Sequence, residues 1–337
     1  MMTKSFILFA LLFFSVSIFA DDFEDAMDAY ILGDYSTANI LFKKSAELGN
    51  ADAQLFLGMI YHEGVFGKQD DKQAVYWYQK AAEQGNTNAQ FNLGLMYGIG
   101  KGVPQDDKKA VYWFQKSAEQ GYVDAQFNLG LMYENGDGVP QDYKQAFNWY
   151  QKAAEQGFAW AQYNLGVMYK KGKGVPQDYK QAFNWYQKAA EQGNADAQFF
   201  LGVMYENGDG VPQDDKKAVY WFQKSAELGH ADAQYNLGLM YGIGKGVPQD
   251  DKKAVYWFQK SAEMGKIEAQ YNLAIYYFKG TGVIQNYVES HKWFDIASVG
   301  GIEKARDNRN KLEKMMSKEQ ISEAHKLASE WMEKHQL

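Results

Sequence analysis

The chain has 337 residues, of which 46% are hydrophobic, 16% aromatic and 23% charged. This composition supplies enough apolar side chains for a packed core and excludes a disordered protein. The 35 basic and 42 acidic residues give a formal charge of -7, the wrong sign for a protein that neutralises nucleic-acid phosphates. The sequence contains no cysteine, which excludes thiol catalysis, cysteine-based zinc sites and disulfides.

The N-terminal segment has the pattern of a secretory signal peptide. Lys4 precedes an apolar run from Phe6 to Ala20, and acidic residues follow directly after it. As a helix the run would be roughly 22 Å long, shorter than the roughly 30 Å hydrocarbon core of a bilayer. We therefore expect cleavage after Ala20, no stable membrane insertion afterwards, and a periplasmic or secreted protein. A retained membrane anchor is the alternative.

Most of the remaining chain repeats with a period of 36 residues. A glutamine and a tryptophan recur at this interval, at Gln54, Gln90, Gln126, Gln162, Gln198, Gln234 and Gln270 and at Trp77, Trp113, Trp149, Trp185, Trp221, Trp257 and Trp293. Such a period is typical of stacked structural repeats. We predict seven repeats over residues 50–301, a degenerate N-terminal capping repeat over 21–49 and a C-terminal helical cap over 302–337.

The repeat from Tyr122 to Gly157 illustrates the predicted local structure. Apolar residues at helical spacing from Ala125 to Tyr133 predict a first amphipathic helix that ends near Gly136, where glycine permits a positive φ. Asp142 is the expected N-cap of a second amphipathic helix, whose apolar residues run from Ala146 to Ala153. One repeat is therefore a helix, a seven-residue loop and a second helix.

Packing between the helices can also be predicted from residue size. We expect the small residues Gly130 and Ala146 to mark the closest approach of the paired helices, with Trp149 packing towards the neighbouring repeat. Beyond the repeats, Ser317 and Gln320 have the spacing of a capping box that opens a final helix. This helix should cover the last repeat.

These sequences resemble the Sel1-like repeat, a relative of the tetratricopeptide repeat with a longer loop between its helices. The residues that carry the resemblance, with counterparts at intervals of 36, are Leu129, Gly130, Tyr133, Gly136, Gly138, Asp142, Ala146, Trp149, Lys152, Ala153, Glu155 and Gly157. The resemblance implies an all-α, right-handed α-solenoid of helix-turn-helix repeats. It further implies protein-protein contact, often in bacterial envelopes or secreted proteins, and no shared reaction.

Residue types suited to catalysis are present, but their repetition favours a structural role. Aspartate pairs precede four second helices, at Asp70/Asp71, Asp106/Asp107, Asp214/Asp215 and Asp250/Asp251, where helix capping accounts for them. The Gly-x-Gly loops lack the strand and the Lys-Ser/Thr ending of a phosphate-binding loop. The five histidines show no i, i+4 spacing among themselves. We therefore predict no enzymatic activity, no cofactor and no metal site.

A candidate partner-binding surface lies on the first helices. Six of the seven repeats carry an aromatic ring at the same position, at Phe91, Phe127, Tyr163, Phe199, Tyr235 and Tyr271. The resemblance implies that first helices line the concave side, so the rings would follow one groove; alternatively, they seal contacts between successive first helices. Trp160 stands where other repeats carry an acidic or amide residue such as Asp124, and Lys170 and Lys171 follow it. The candidate residues are Phe91, Asp124, Phe127, Trp160, Tyr163, Lys170, Lys171, Phe199 and Tyr235.

The sequence therefore predicts a non-enzymatic protein-protein interaction scaffold of the bacterial cell envelope or secreted space, which binds a protein or peptide in its groove. A binder of cell-wall glycan or peptide is the alternative. A weak β-lactam hydrolase is a further one, because a cysteine-rich branch of the family has been credited with that activity. The absence of cysteine separates this chain from that branch.

Overall fold

The computed structural model describes residues 22–65 and 67–336, and within them every regular element is an α-helix. The predicted signal peptide lies outside these residues. The helices are α1 (22–31), α2 (Tyr35–Glu47), α3 (Ala51–Glu63), α4 (Asp71–Glu83), α5 (Thr87–Ile99), α6 (Asp107–Glu119), α7 (Val123–Asn135), α8 (Tyr143–Glu155), α9 (Ala159–Lys171), α10 (Tyr179–Glu191), α11 (Ala195–Asn207), α12 (Asp215–Glu227), α13 (Ala231–Ile243), α14 (Asp251–Glu263), α15 (Ile267–Lys279), α16 (Tyr287–Val299), α17 (Glu303–Glu313) and α18 (Lys318–Lys334). None of the described helices combines the length and apolarity needed to span a bilayer.

The described residues form two compact units. The first ends at Ala161 and includes Lys173–Val175, and the second consists of Gln162–Gly172 and the residues from Pro176 onwards. Within each unit, the two helices of a repeat pack together, and the second helix also packs against the first helix of the next repeat. The predicted all-α, helix-turn-helix repeat fold is confirmed.

Local capping sets the helix bounds. Gly136 follows α7 with a φ of 85°, which ends that helix in the left-handed conformation. The side chain of Asp142 accepts hydrogen bonds from the backbone N–H groups of Lys144 and Gln145 at the start of α8. Asp70, Asp106, Asp214 and Asp250 cap their helices in the same way, so the capping role predicted for the aspartate pairs is confirmed.

The paired helices of a repeat meet at a glycine and an aromatic ring. A Cβ atom added to Gly130 would lie 2.6 Å from Cδ1 of Tyr150, so only glycine allows this approach. Ala146, the predicted partner, is fully buried, but the ring one turn further along α8 is the group that contacts Gly130. Trp149 lies in one buried cluster with Phe114 of the preceding repeat, as predicted.

In six repeats, a buried glutamine joins the repeat to the one before it. Gln126 is 4% exposed, and its Nε2 donates a hydrogen bond to the carbonyl of Ala118, 3.1 Å away in the last turn of α6. This carbonyl lies past the last i+4 donor of its helix and accepts from the backbone N–H of Gly121, so the amide of the next repeat is its second donor. The same donation joins Gln54 to Ala46, Gln90 to Ala82, Gln198 to Ala190, Gln234 to Ala226 and Gln270 to Ala262.

A second glutamine completes this arrangement in some repeats. Nε2 of Gln156, the C-cap residue of α8, donates to Oε1 of Gln126 over 2.8 Å. The corresponding pairs are Gln84 with Gln54, Gln120 with Gln90 and Gln192 with Gln162. The next two repeats have Leu228 and Met264 at the C-cap position instead. As a result, Oε1 of Gln198 and Oε1 of Gln234 are buried with no hydrogen-bond partner among the described residues.

The C-terminal helices cover the last repeat. The side chains of Ser317 and Gln320 form the predicted capping box at the start of α18. This helix packs against α16, where the rings of Trp331 and Trp293 meet edge to face with centroids 5.7 Å apart. The separate helix α17, which also packs against α16, was not predicted from the sequence.

We predict that Leu228→Gln and Met264→Gln each stabilise the protein by about 1 kcal/mol, because each supplies a donor to a buried amide oxygen. Both residues are more than half exposed, at 58% and 57%, so little apolar packing is lost. Chemical denaturation measures the free energy of unfolding. Leu48→Gln is the matched control, because Leu48 is an exposed C-cap residue of α2 and no glutamine precedes it by 30 residues. Equal effects of all three changes would contradict the explanation.

We also predict that Gly138→Ala destabilises the protein by about 2 kcal/mol more than Gly157→Ala, through overpacking. Both glycines have a positive φ, 71° and 93°, so both variants carry the left-handed penalty. At Gly138 the new Cβ would also lie 2.4 Å from the carbonyl oxygen of Asp107 in the preceding repeat, whereas at Gly157 it meets no atom within 4 Å. Thermal and chemical unfolding of the two variants measure this difference.

Candidate protein-interaction surface

The predicted series of first-helix rings is half-buried. Each ring packs against the ring at one fixed position of its own repeat's second helix, with centroids 5.7 to 6.0 Å apart. The pairs are Phe91 with Phe114, Phe127 with Tyr150, Tyr163 with Tyr186, Phe199 with Phe222, Tyr235 with Phe258 and Tyr271 with Phe294. These rings therefore join the two helices of a repeat.

The next repeat covers part of the same rings. The centroid of Phe127 lies 5.1 Å from that of Phe158, the residue just before α9, and Phe91 lies 5.0 Å from Tyr122. Phe199 stacks on His230 at 4.6 Å. The sealing contacts considered for these rings are thus present. Most of the contacts named here are made with second helices and with N-cap segments, and Tyr163 also contacts Phe200 of the next first helix, with ring centroids 6.1 Å apart.

Burial also governs the ionisation of the predicted tyrosines. It raises the pKa of Tyr163 to about 12, and the carboxylate of Asp196 adds to the shift. Burial likewise raises the pKa of Tyr235, with a further contribution from Glu268. Both phenols therefore stay protonated at neutral pH and can contribute hydrogen bonds, but not negative charge, to a bound partner.

The other candidate residues differ in exposure. In the first unit, Trp160 is 50% exposed and Asp124 is half-buried. In the second unit, Nζ of Lys170 lies 4.4 Å from the ring centroid of Phe200, and burial lowers the pKa of this lysine. Lys171 is exposed. Trp160 and Lys171 are thus the members of the candidate set that the structure presents most openly to solvent.

A set of exposed tyrosines on the second helices was not predicted from the sequence. Tyr76, Tyr112, Tyr220 and Tyr256 are 49 to 53% exposed. Each ring meets the following tryptophan edge to face and has a lysine Nζ within 6 Å of its centroid. Their recurrence at multiples of 36 was the available signal. They give the second helices an exposed aromatic and cationic surface.

A polar cluster in the second unit was also missed. His291 and Asp295 occupy positions i and i+4 of α16, and His325 of α18 lies beside them. Comparing the histidines only with one another concealed the spacing between His291 and Asp295. This cluster joins the final helices to the last repeat.

Because their burial differs, Phe127→Ala and Trp160→Ala should affect stability differently. We predict that Phe127→Ala lowers the free energy of unfolding by about 2 kcal/mol, since the ring packs against Tyr150 and Phe158. Replacement of the half-exposed Trp160 by alanine should lower the free energy of unfolding by less than about 1 kcal/mol. Urea denaturation of the two variants provides the measurement, and a reversed order would show that the rings have been assigned the wrong roles.

Comparison with known proteins identifies the repeats. The model of the Sel1 repeat family matches residues 28–50, 51–86, 87–122, 123–158, 161–194, 195–230, 231–266 and 267–298. The first match lies within the segment predicted to be a degenerate capping repeat; the predicted domain boundaries themselves stay a prediction. A comparison with curated proteins found no match.

Solved structures of similar proteins agree with this result. A Sel1 repeat protein from Oxalobacter formigenes is 36% identical, with 88% of this chain and 90% of that chain covered and a TM-score of 0.71. The protein c5321, a protective antigen of uropathogenic Escherichia coli strains with an SLR fold, is 32% identical, with 94% and 92% covered and a TM-score of 0.44. Because the matched repeats cover most of the sequence and the Oxalobacter formigenes protein aligns over nearly its whole length, this chain belongs to the Sel1 repeat family.

Proposed function

We propose that this chain is a non-enzymatic scaffold that binds a protein or peptide partner through a surface centred on Trp160. The observation that carries the proposal is the 50% exposure of this large side chain, at a position where the preceding repeat has Asp124. Tryptophan offers a large contact area and is enriched among the residues that dominate binding energy. Among the seven repeats, only this one has a tryptophan at that position, which distinguishes it from its neighbours.

The family supports a binding role. Sel1 and tetratricopeptide-like repeat proteins generally mediate protein-protein interaction and are generally non-enzymatic. In this chain the residues that resembled catalytic groups have structural partners. Asp70 of the first aspartate pair caps α4, for example, and Gly138 of a Gly-x-Gly loop has the positive φ that the loop requires. These observations favour a scaffold over the weak β-lactam hydrolase considered from the sequence.

The six first-helix rings are half-buried, and this disfavours the alternative that they bind a cell-wall glycan. A sugar stacks on an open aromatic face, whereas Phe127 is packed against Tyr150 on one side and Phe158 on another. We therefore place the binding surface at an exposed residue rather than along the six rings. The N-terminal apolar run from Phe6 to Ala20 supports a periplasmic or secreted location as part of the proposal.

We predict that a photo-crosslinking residue at Asp124, in the repeat before Trp160, captures a defined protein from cell-envelope extracts. The same photo-crosslinking residue placed at position 284, where Ile284 is 88% exposed, should not capture that protein. Once that protein is purified, Trp160→Ala should weaken its binding about 30-fold, the equivalent of about 2 kcal/mol for a dominant contact. Calorimetric titration measures both affinities.

The control for this experiment is Ile284→Ala, which removes a more exposed apolar side chain elsewhere and should leave the affinity unchanged. Circular dichroism should show that both variants remain folded. If the Trp160→Ala protein binds the captured partner as tightly as the unmodified chain, the proposed surface is wrong. Capture at Ile284 alone would place the binding surface elsewhere.

A further inference from the structure

Three side chains from the last repeat and the final helix converge in the second unit. His291 and Asp295 lie one turn apart on α16, and His325 comes from α18. Each contributes one donor atom, and these atoms all lie within 4.8 Å of one another. We propose that His291, Asp295 and His325 bind a divalent transition-metal ion, with zinc as the best match, and thereby join α18 to α16.

The surroundings of His291 give the first reason. Its side chain is fully buried, and its Nε2 lies 3.0 Å from Oε1 of Glu313 on α17. Its Nδ1 is buried and has no hydrogen-bond partner among the described residues. A metal-bound histidine commonly donates its other N–H to a carboxylate, which fixes the ring and leaves one nitrogen for the ion. Glu313 and the unpaired Nδ1 fit these two roles.

The orientation of Asp295 gives the second reason. Arg309 of α17 contacts its Oδ1, and Oδ2 faces Nδ1 of His325 over 2.9 Å. Arg309 thus holds one carboxylate oxygen and leaves the other directed towards the histidines. The ring planes of His291 and His325 are nearly perpendicular, at 89°, with centroids 4.8 Å apart.

The charge and chemistry of the donors favour zinc. With neutral imidazoles, the two carboxylates of Asp295 and Glu313 and the single guanidinium of Arg309 leave one net negative charge to offset a dication. Imidazole nitrogens prefer zinc and similar transition metals, whereas magnesium and calcium prefer oxygen donors alone. Two histidines and one carboxylate are also a known ligand set of zinc, with the fourth position taken by water.

The spacing of the donors requires only a modest adjustment. Ligand atoms at tetrahedral zinc lie about 3.3 Å apart, given bonds of about 2.0 Å. The most distant donors must therefore draw together by about 1.5 Å at most, whereas Asp295 and His325, 2.9 Å apart, must separate slightly. The side chain of His325 is 48% exposed, so it can make this movement without disturbing the buried His291.

The test is a zinc titration of tag-free protein followed by calorimetry. We expect one saturable zinc site per chain. His325→Ala and His291→Gln should each weaken zinc binding at least tenfold. The matched control is His62→Ala, because His62 and Asp71 form a similar pair, with Nδ1 and Oδ1 2.7 Å apart, but lack a third donor. This control should bind zinc as the unmodified chain does.

Two further readouts make the result decisive. Saturating zinc should raise the melting temperature of the unmodified chain and of His62→Ala, but not that of His325→Ala. Cobalt(II) should produce the visible absorption of a tetrahedral site, which zinc then displaces. If His291→Gln fails to fold, His325→Ala decides the question, because its side chain is half exposed. Absence of a saturable site, or unchanged binding by His325→Ala, would overturn the proposal.

Discussion

The arrangement of these repeats depends on the buried amide of one glutamine per repeat. Apolar packing between helices is non-directional and would tolerate several alignments. A buried amide is satisfied only when particular donors and acceptors are within reach. Gln126 finds the carbonyl of Ala118 only if consecutive repeats pack in one alignment. The close approach of Gly138 to Asp107 imposes the same alignment from the loop side. Together, these contacts convert general hydrophobic stacking into a single register.

Features that depend on neighbours along the chain were predictable from the sequence. The ends of α7 and α8 follow from Gly136 and Asp142, which act on backbone groups a few residues away. The capping box of Ser317 and Gln320 is equally local. The period of 36 then extended each local prediction to every repeat. The position of Trp149 in the core of the preceding repeat was also predictable, because a repeat cannot bury a side chain of that size alone.

Features that depend on distant contacts were not predictable. The sequence places Phe127 on a helix face but does not show that Tyr150 and Phe158 cover it, so its exposure remained open. The cluster at His291 combines helices whose donors are separated by 30 or more residues. The helix α17, which supplies Arg309 and Glu313, departs from the repeat pattern. No periodicity therefore pointed to the surroundings of this histidine.

The incomplete glutamine pairs at Gln198 and Gln234 determine where the protein begins to unfold. In a repeat protein each interface contributes separately to stability, so the weakest junctions open first. Those two junctions keep the bond to the preceding helix but lack the amide supplied elsewhere by residues such as Gln156. Unfolding under a pulling force and cleavage by a protease would therefore begin at these junctions, while the repeats with complete pairs remain folded. Because the glutamine amides are not all fully hydrogen-bonded, a nearly uniform sequence contains specific junctions at which unfolding begins.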